Sequence, residues 1–256
     1  MPELYEELKE ALHKEQGIAM ATLLSGPGHV GAKILIYPDK TVHGTLGSPT
    51  LDALVIPDAE QAIWRSEPRI YTYILESTTV PQTFDIFIEG FPPSPELIII
   101  GAGHIAISLT TIAKALNYHV VVIDARAAFA THERFPLADE LIVAWPDEIL
   151  QKRPLHPSTS VAVLTHDPKF DEPTLKILLT RQVGYIGVIG SRKTSRERVE
   201  RLKREEITEE QITHIHGPIG LEIGATTPEE IALAIMAEIV AVRHGKDYIA
   251  RRAKMS

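Results

Sequence analysis

The stretch that most limits what this chain can fold into is LIIIGAGHIAISL, residues 97–109. An apolar run ends in Gly101-Ala102-Gly103-His104, and an apolar, helix-like segment follows at once. Strand, glycine turn and helix together form the unit with which α/β folds cradle a phosphate. The spacing Gly101-x-Gly103-x-x-Ala106 fits the dinucleotide fingerprint. In it, the first glycine makes the tight turn and the second lets a pyrophosphate approach the backbone. A small third residue lets helix and strand pack closely. Context strengthens a motif that is weak alone: a second apolar strand, HVVVID (119–124), ends at Asp124, 21 residues past Gly103. An acid there would hydrogen-bond a ribose hydroxyl and disfavour a 2′-phosphate. Arg126, two residues on, leaves the choice between NAD and NADP open.

The texture on either side of FPPSP, residues 91–95, differs. Three prolines in five residues cannot continue a helix or a central strand, so a domain boundary is expected there. Beyond it, LIII (97–100), HVVVID, ELIVA (140–144), SVAVLTH (160–166) and YIGVIG (185–190) alternate with helical stretches at 104–117, 172–182 and 194–205. Near-continuous β-branched runs alternating with helices predict a parallel sheet covered on both faces. A last helix starts at Pro228 behind a capping box, Thr227 with Glu230. Before the boundary, a helix with Leu4, Leu8 and Leu12 on one face precedes strands at 17–26 and 31–46. In the second of these, Pro38-Asp39-Lys40 suits a hairpin turn. Helical character at 51–66 and strands at 70–76 and 84–90 complete the pattern. The expected fold class is therefore α/β: a small N-terminal α+β domain (1–90), a linker (91–95) and a Rossmann-like parallel-sheet domain (96–256).

In open parallel sheets, ligands gather outside the carboxyl ends of the strands. Thr165-His166-Asp167 and Gly190-Ser191-Arg192 follow two such strands. They would face the same crevice as Gly103 and His104. Ser191 and Arg192, ahead of a helix, would bind a further anionic group through amides and guanidinium. His166 reads equally well as a crevice residue or as an N-cap or satisfied loop histidine. His214-x-His216 would place two imidazoles on one side of a strand, but no tight ligand motif such as H-E-x-x-H occurs, and no metal centre is expected.

The formal charge of -8 argues against a general nucleic-acid binder. The basic run SRKTSRERVERLKR, beginning at Ser191, reads as a solvated helix face. With no cysteine, the chain can carry no disulfide, thiolate metal site or cysteine nucleophile. No apolar run approaches the about 18 residues of a membrane span, and the amino terminus lacks the apolar centre of a secretory signal. A cytoplasmic protein is expected. An independent dehydrogenase needs a proton donor and a carboxylate-binding group. His29 and His43 lack an evident acid partner, and no Y-x-x-x-K pair lies near the nucleotide fold.

The segments GAGHIA, VVVIDARAAFATHERFPLADE, VLTHDPKFDEPTL, YIGVIGSRKTSRERVERL and IHGPIGLEIGATTPEEIALAIMAEIVAVRHG closely resemble the xanthine dehydrogenase accessory protein family (XdhC/CoxI), in family order over nearly all of residues 97–245. ATLLSGPGHVGAKILIYPDKTVHGTLGSP is similar to that family's smaller domain, more loosely. The resemblance implies a non-catalytic maturation factor. Such a factor would bind molybdenum cofactor, as molybdopterin or its dinucleotide form, and assist its sulfuration and insertion into a xanthine dehydrogenase-type hydroxylase. A cysteine desulfurase and the hydroxylase would be its partners, with a homodimer as the base-rate oligomer. Carried onto this sequence, it places Gly101, Gly103 and His104 at a phosphate loop and Asp124 and Arg126 at the nucleotide or pterin end. His166, Asp167, Gly190, Ser191 and Arg192 would line the crevice. His216 and Gly220, in His216-Gly217-Pro218-Ile219-Gly220-Leu221, would allow close backbone approach or form a structural turn. The chain departs from the family pattern where a Gly-Gly-Cys segment is common: it reads Gly44-Thr45-Leu46-Gly47-Ser48-Pro49. It therefore cannot carry a persulfide. An NAD(P)-dependent oxidoreductase and an NAD(H)-sensing regulatory subunit remain the alternatives.

Overall fold

The computed structural model describes residues 2–64, 68–76, 81–165, 167–205 and 207–246. The chain divides into two compact units, Met1–Pro93 and Ser94–Ser256.

The first unit contains α1 (Pro2–His13), β1 (Ile18–Ser25), β2 (Lys33–Ile36), β3 (Val42–Gly44), α2 (Pro49–Ile63), β4 (Arg69–Leu75) and β5 (Gln82–Phe91). The strands form one antiparallel sheet in the order β3-β2-β1-β5-β4. Side chains alternate across a strand, and the sequence uses both faces. Ala19, Ala21, Leu23, Ile34 and Ile36 pack with Leu51, Val55 and Ala59 of α2. Ile18, Met20 and Leu35 point the other way, onto Leu4, Leu8 and Ala11 of α1. The leucine stripe expected on α1 holds only in part, since Leu12 is 43% exposed. Four-residue steps drift about 40° round a helix, so by the third turn the inward position has passed to Ala11. Phe91, expected in the linker, instead ends β5 and pairs with Ile18.

The second unit runs β6 (Glu96–Ile100), α3 (His104–Ala115), β7 (His119–Ile123), β8 (Glu140–Ile142), α4 (Pro146–Lys152), β9 (Thr159–Val163), α5 (Pro168–Leu179), β10 (Tyr185–Val188), α6 (Arg192–Arg204), α7 (Glu209–Thr213), β11 (Ile215–His216) and α8 (Pro228–Arg243). Its sheet is wholly parallel, ordered β11-β10-β9-β6-β7-β8. Numbered from β6, that is 6-5-4-1-2-3, the doubly wound dinucleotide-binding order, with its switch point between β6 and β9. The unbroken apolar run in β6 follows from burial on both faces. Leu97 and Ile99 join a core with Leu109 of α3 and Ile235 and Ile239 of α8. Ile98 and Ile100 join another with Leu175 of α5 and Leu202 of α6.

At the amino ends of the strands, Arg153 donates to Glu96 (2.6 Å) and Glu140 (2.7 Å), and His119 Nε2 lies 3.0 Å from Glu140. The guanidinium holds the Glu140 carboxyl down at about 2. Glu96, His119 and Glu140 are grouped closely enough to hold a metal, but Arg153 already supplies the cation.

Candidate functional site

The carboxyl ends of β6, β7, β9 and β10 position most of the expected site residues. Gly101 closes β6 with φ +102, a conformation that favours glycine. A Cβ on it would stand 2.7 Å from Thr165 Cγ2 and 3.2 Å from the carbonyl carbon of Leu164, so the loops after β6 and β9 are pressed together at the switch point. Gly103 serves differently. It caps α3 in extended conformation (φ -77, ψ -171), and a Cβ there would meet nothing within 4 Å. That open space lies over the amides of the first turn of α3, which have no acceptor in the helix and are joined by no acidic side chain. His104 opens the helix and is exposed, while Ala106 is fully buried against the strand, as the small third position requires.

Asp124 is 3% exposed and knots the loop from beneath. It accepts the Ala102 amide (2.8 Å), the Arg126 amide (2.9 Å), and Arg126 Nε (2.9 Å) and Nη2 (2.7 Å). Burial alone would raise its pKa; the hydrogen bonds from Arg126 and the two amides outweigh that and hold it below the ordinary value. Arg126 lies 4.3 Å over the Phe129 ring, and its pKa is raised, first by Asp124, with Asp167 also contributing. Asp167 caps α5, accepting the Lys169 amide at 3.0 Å. His166 lies outside the described residues.

Beside this, a cavity of about 410 Å³ is lined by residues that include Asp171, Gly190, Ser191, Thr194, Glu197, Arg198 and Arg201. Ser191 caps α6 by accepting the Thr194 amide at 3.1 Å, and Thr165 donates to the buried Asp171. Arg192, expected at the crevice, is exposed, pairs with Glu222 at 3.0 Å and is not among the residues lining this cavity. At the first position of the helix its side chain points outward. The inward guanidinium is Arg198, 6% exposed, whose Nη2 donates to the Ile189 carbonyl (3.0 Å) and lies 3.5 Å from Asp171. Burial pushes its pKa down, and Asp171 offsets this only in part. Sequence reasoning placed Arg198 on a solvated face. The available signal was its four-residue spacing from Leu202, which is buried.

His216 and Gly220 lie elsewhere, packed against α8. His216 is 8% exposed, its ring 4.5 Å from that of Tyr185 and its Nδ1 3.6 Å from Glu238. Glu238, buried within α8, accepts the Tyr185 hydroxyl and the Gly220 amide, each at 2.7 Å. A Cβ on Gly220 would come 3.1 Å from the backbone of Ala234. The His-Gly-Pro-Ile-Gly turn is thus fastened to α8. His214, exposed at the end of α7, does not share a face with His216.

The strand order and the glycine loop at its switch point define a Rossmann-type domain. Residues 97–239 match the XdhC Rossmann domain and residues 11–74 match the XdhC and CoxI family. The chain belongs to the XdhC family. It is 36% identical over 162 residues to a Bacillus subtilis (strain 168) protein named as a probable xanthine dehydrogenase subunit, covering 63% of this chain and 47% of that one. It is 26% identical over 157 residues to the Escherichia coli (strain K12) molybdenum cofactor insertion chaperone PaoD, covering 61% and 43%. The chain thus spans less than half the length of these relatives. A crystal structure described as a xanthine dehydrogenase from Bacillus halodurans shares the fold, with TM-score 0.54, 23% identity and coverage of 95% and 96%. No helix among the described residues is long and apolar enough to cross a membrane.

Proposed function

We propose that this protein is a non-catalytic maturation factor that holds molybdenum cofactor for a xanthine dehydrogenase-type hydroxylase. The observation that carries the reading is the open space over Gly103 at the N-terminus of α3, in a chain whose family includes an insertion chaperone for that cofactor. Phosphate oxygens of the cofactor tail are the chemistry those amides accept, and the loop beneath them is preset by Asp124. Gly101 and Gly103 would admit the tail, and His104 and Arg126 would flank it. The cargo supplies the redox chemistry, in the hydroxylase; this chain binds and orients. Because the chain has no cysteine, sulfuration would proceed from a cysteine desulfurase directly onto bound cofactor.

The nicotinamide-based readings are disfavoured by Asp124. Its carboxylate is spent on Ala102 and Arg126 rather than presented to a ribose. The test is anaerobic purification from a host that makes the cofactor, with molybdenum and oxidised pterin assayed per chain and NADH titrated against the same sample. Near-stoichiometric pterin, lost in Gly103→Glu, is expected. Tight NADH binding without pterin would overturn the proposal.

A further inference from the structure

We propose that Trp145, stacked on Phe170 at the carboxyl edge of the parallel sheet, is the platform on which the planar nitrogen heterocycle of the bound ligand lies, be it the pterin or the base of a dinucleotide tail. The identity of the ligand rests on the maturation reading; the platform rests on the two rings.

Trp145 and Phe170 stack with centroids 4.8 Å apart and planes 22° from parallel. Stacking engages one face of each ring. Phe170 is half-buried, whereas Trp145 is 46% exposed, so the second face of the indole is turned to solvent. Neither ring belongs to the apolar cores that flank the sheet, where Ile149 and Leu150 of α4 meet Leu175 and Leu178 of α5. The core therefore does not call for a tryptophan here. Nor does the helix: Trp145 is the N-cap of α4 and makes no side-chain cap, at a position where Ser, Thr, Asp or Asn would stabilise the first turn. Pro146 behind it is buried and restricts Trp145 to the extended backbone it adopts (φ -67, ψ 129). An exposed indole is thus carried on a fixed backbone, at the expense of a cap.

The pair stands where ligands of open parallel sheets collect. The Asp124 amide donates to the Ile142 carbonyl at 3.1 Å, which joins the ends of β7 and β8, and Trp145 follows three residues later. Phe170 lies in the first turn of α5, its amide donating to the Asp167 carbonyl at 3.0 Å, and Asp167 is near enough to Arg126 to act on its charge. Trp145, Phe170, Asp167 and Arg126 therefore lead from the end of β8 back to Asp124 beneath the glycine loop. β6 and β8 are two strand spacings apart, about 10 Å, so an elongated ligand with its phosphate at Gly103 would bring its ring to the indole. Stacking accepts any flat π-face, which suits both pterin and nucleobase.

The full-length chain would be titrated with neopterin, a pterin without phosphate, read by the anisotropy of its own fluorescence, and with adenosine, read by calorimetry. Binding should weaken about fivefold or more in Trp145→Ala, stay within about twofold in Trp145→Phe, which keeps a ring, and be unchanged in Gly103→Glu, which acts on the phosphate loop alone. Failure of both probes to bind the parent chain, or binding indifferent to Trp145→Ala, would overturn the platform. Tighter binding of neopterin assigns the ring to the pterin; tighter binding of adenosine assigns it to the base of the tail. The two readings fail separately. Pterin that copurifies with a chain whose binding ignores Trp145→Ala overturns the platform and leaves the maturation role standing, whereas Trp145-dependent binding in a chain that never carries pterin does the reverse.

Discussion

Replacing Asp124 by Asn tests whether the glycine loop is held from beneath by one carboxylate. Four N–H groups converge on it: the Ala102 and Arg126 amides and Nε and Nη2 of Arg126, at 2.7 to 2.9 Å. An amide side chain keeps one oxygen. Turned toward the Arg126 amide and Nε, it sets its NH2 against the Ala102 amide and Nη2. Ala102 is fully buried, and an amide deprived of its acceptor there costs about 1–3 kcal/mol. The lost ion pair adds no more than about 1 kcal/mol, because half of the Arg126 side chain is exposed. The sum, about 1–4 kcal/mol, lowers the melting midpoint of a domain this size by about 2–16 °C. The pH dependence has a definite sign. The folded carboxyl lies below its ordinary 3.8, so its contribution is present above that value and is lost as pH falls through the folded pKa. The gap between Asp124→Asn and the parent is therefore widest at neutral pH and narrows below about pH 4. Melting at pH 7 and pH 3.5, followed by Trp145 fluorescence in a Trp64→Phe background, reads the second unit alone. A difference under about 0.5 kcal/mol at pH 7, or one that widens in acid, would refute the reasoning.

The two loop glycines should separate. Gly101→Ala, with φ +102 and Thr165 only 2.7 Å from the new methyl, should cost about 2–4 kcal/mol by urea denaturation, whereas Gly103→Ala, into open space, should cost under about 1 kcal/mol while weakening ligand binding. At the buried end of α8, the Tyr185 hydroxyl and the Gly220 amide share the same oxygen of Glu238. Glu238→Gln retains that acceptor and should cost under about 1 kcal/mol, and Glu238→Leu about 3 kcal/mol or more in the same denaturation assay. Equal losses would show that the charge, not the acceptor, holds the turn.

What the sequence made legible is what local physics dictates. β6 and β7 were visible because double-sided burial demands continuous apolar residues, and α8 because Thr227 and Glu230 cap each other. α4, only seven residues from Pro146 to Lys152, was too short to impose a period and was missed, and β11, two residues, entered only as the strand supposed to carry His214 and His216. ELIVA stops pairing after Ile142, because β8 is an edge strand with a short partner register. In the site, Gly101, Gly103 and Ser191 were readable, since backbone conformation and capping restrict the residue type. Arg198, Asp171 and Thr165 were not. They come from three segments that meet only because β9 lies between β6 and β10. A histidine among glycines is equally ambiguous until the ring of Tyr185 is seen against His216.

The carboxylates around the strand ends show how an acidic chain would still present the anion surface proposed for it. Asp124 is spent on the Ala102 amide and Arg126, Asp167 on the Lys169 amide, and Asp171 on the Thr165 hydroxyl and Arg198. Each negative charge is turned inward to fix a loop or a helix start. Glu197, exposed beside Lys193, is the exception on the cavity wall. What faces outward at α3 and α6 is accordingly first-turn amides without acidic neighbours. The formal charge of -8 governs long-range repulsion, which salt screens over about 8–10 Å. Within hydrogen-bond distance oriented amides decide, so the anion binding proposed for the Gly103 loop should weaken only modestly with ionic strength, unlike capture by an exposed basic patch.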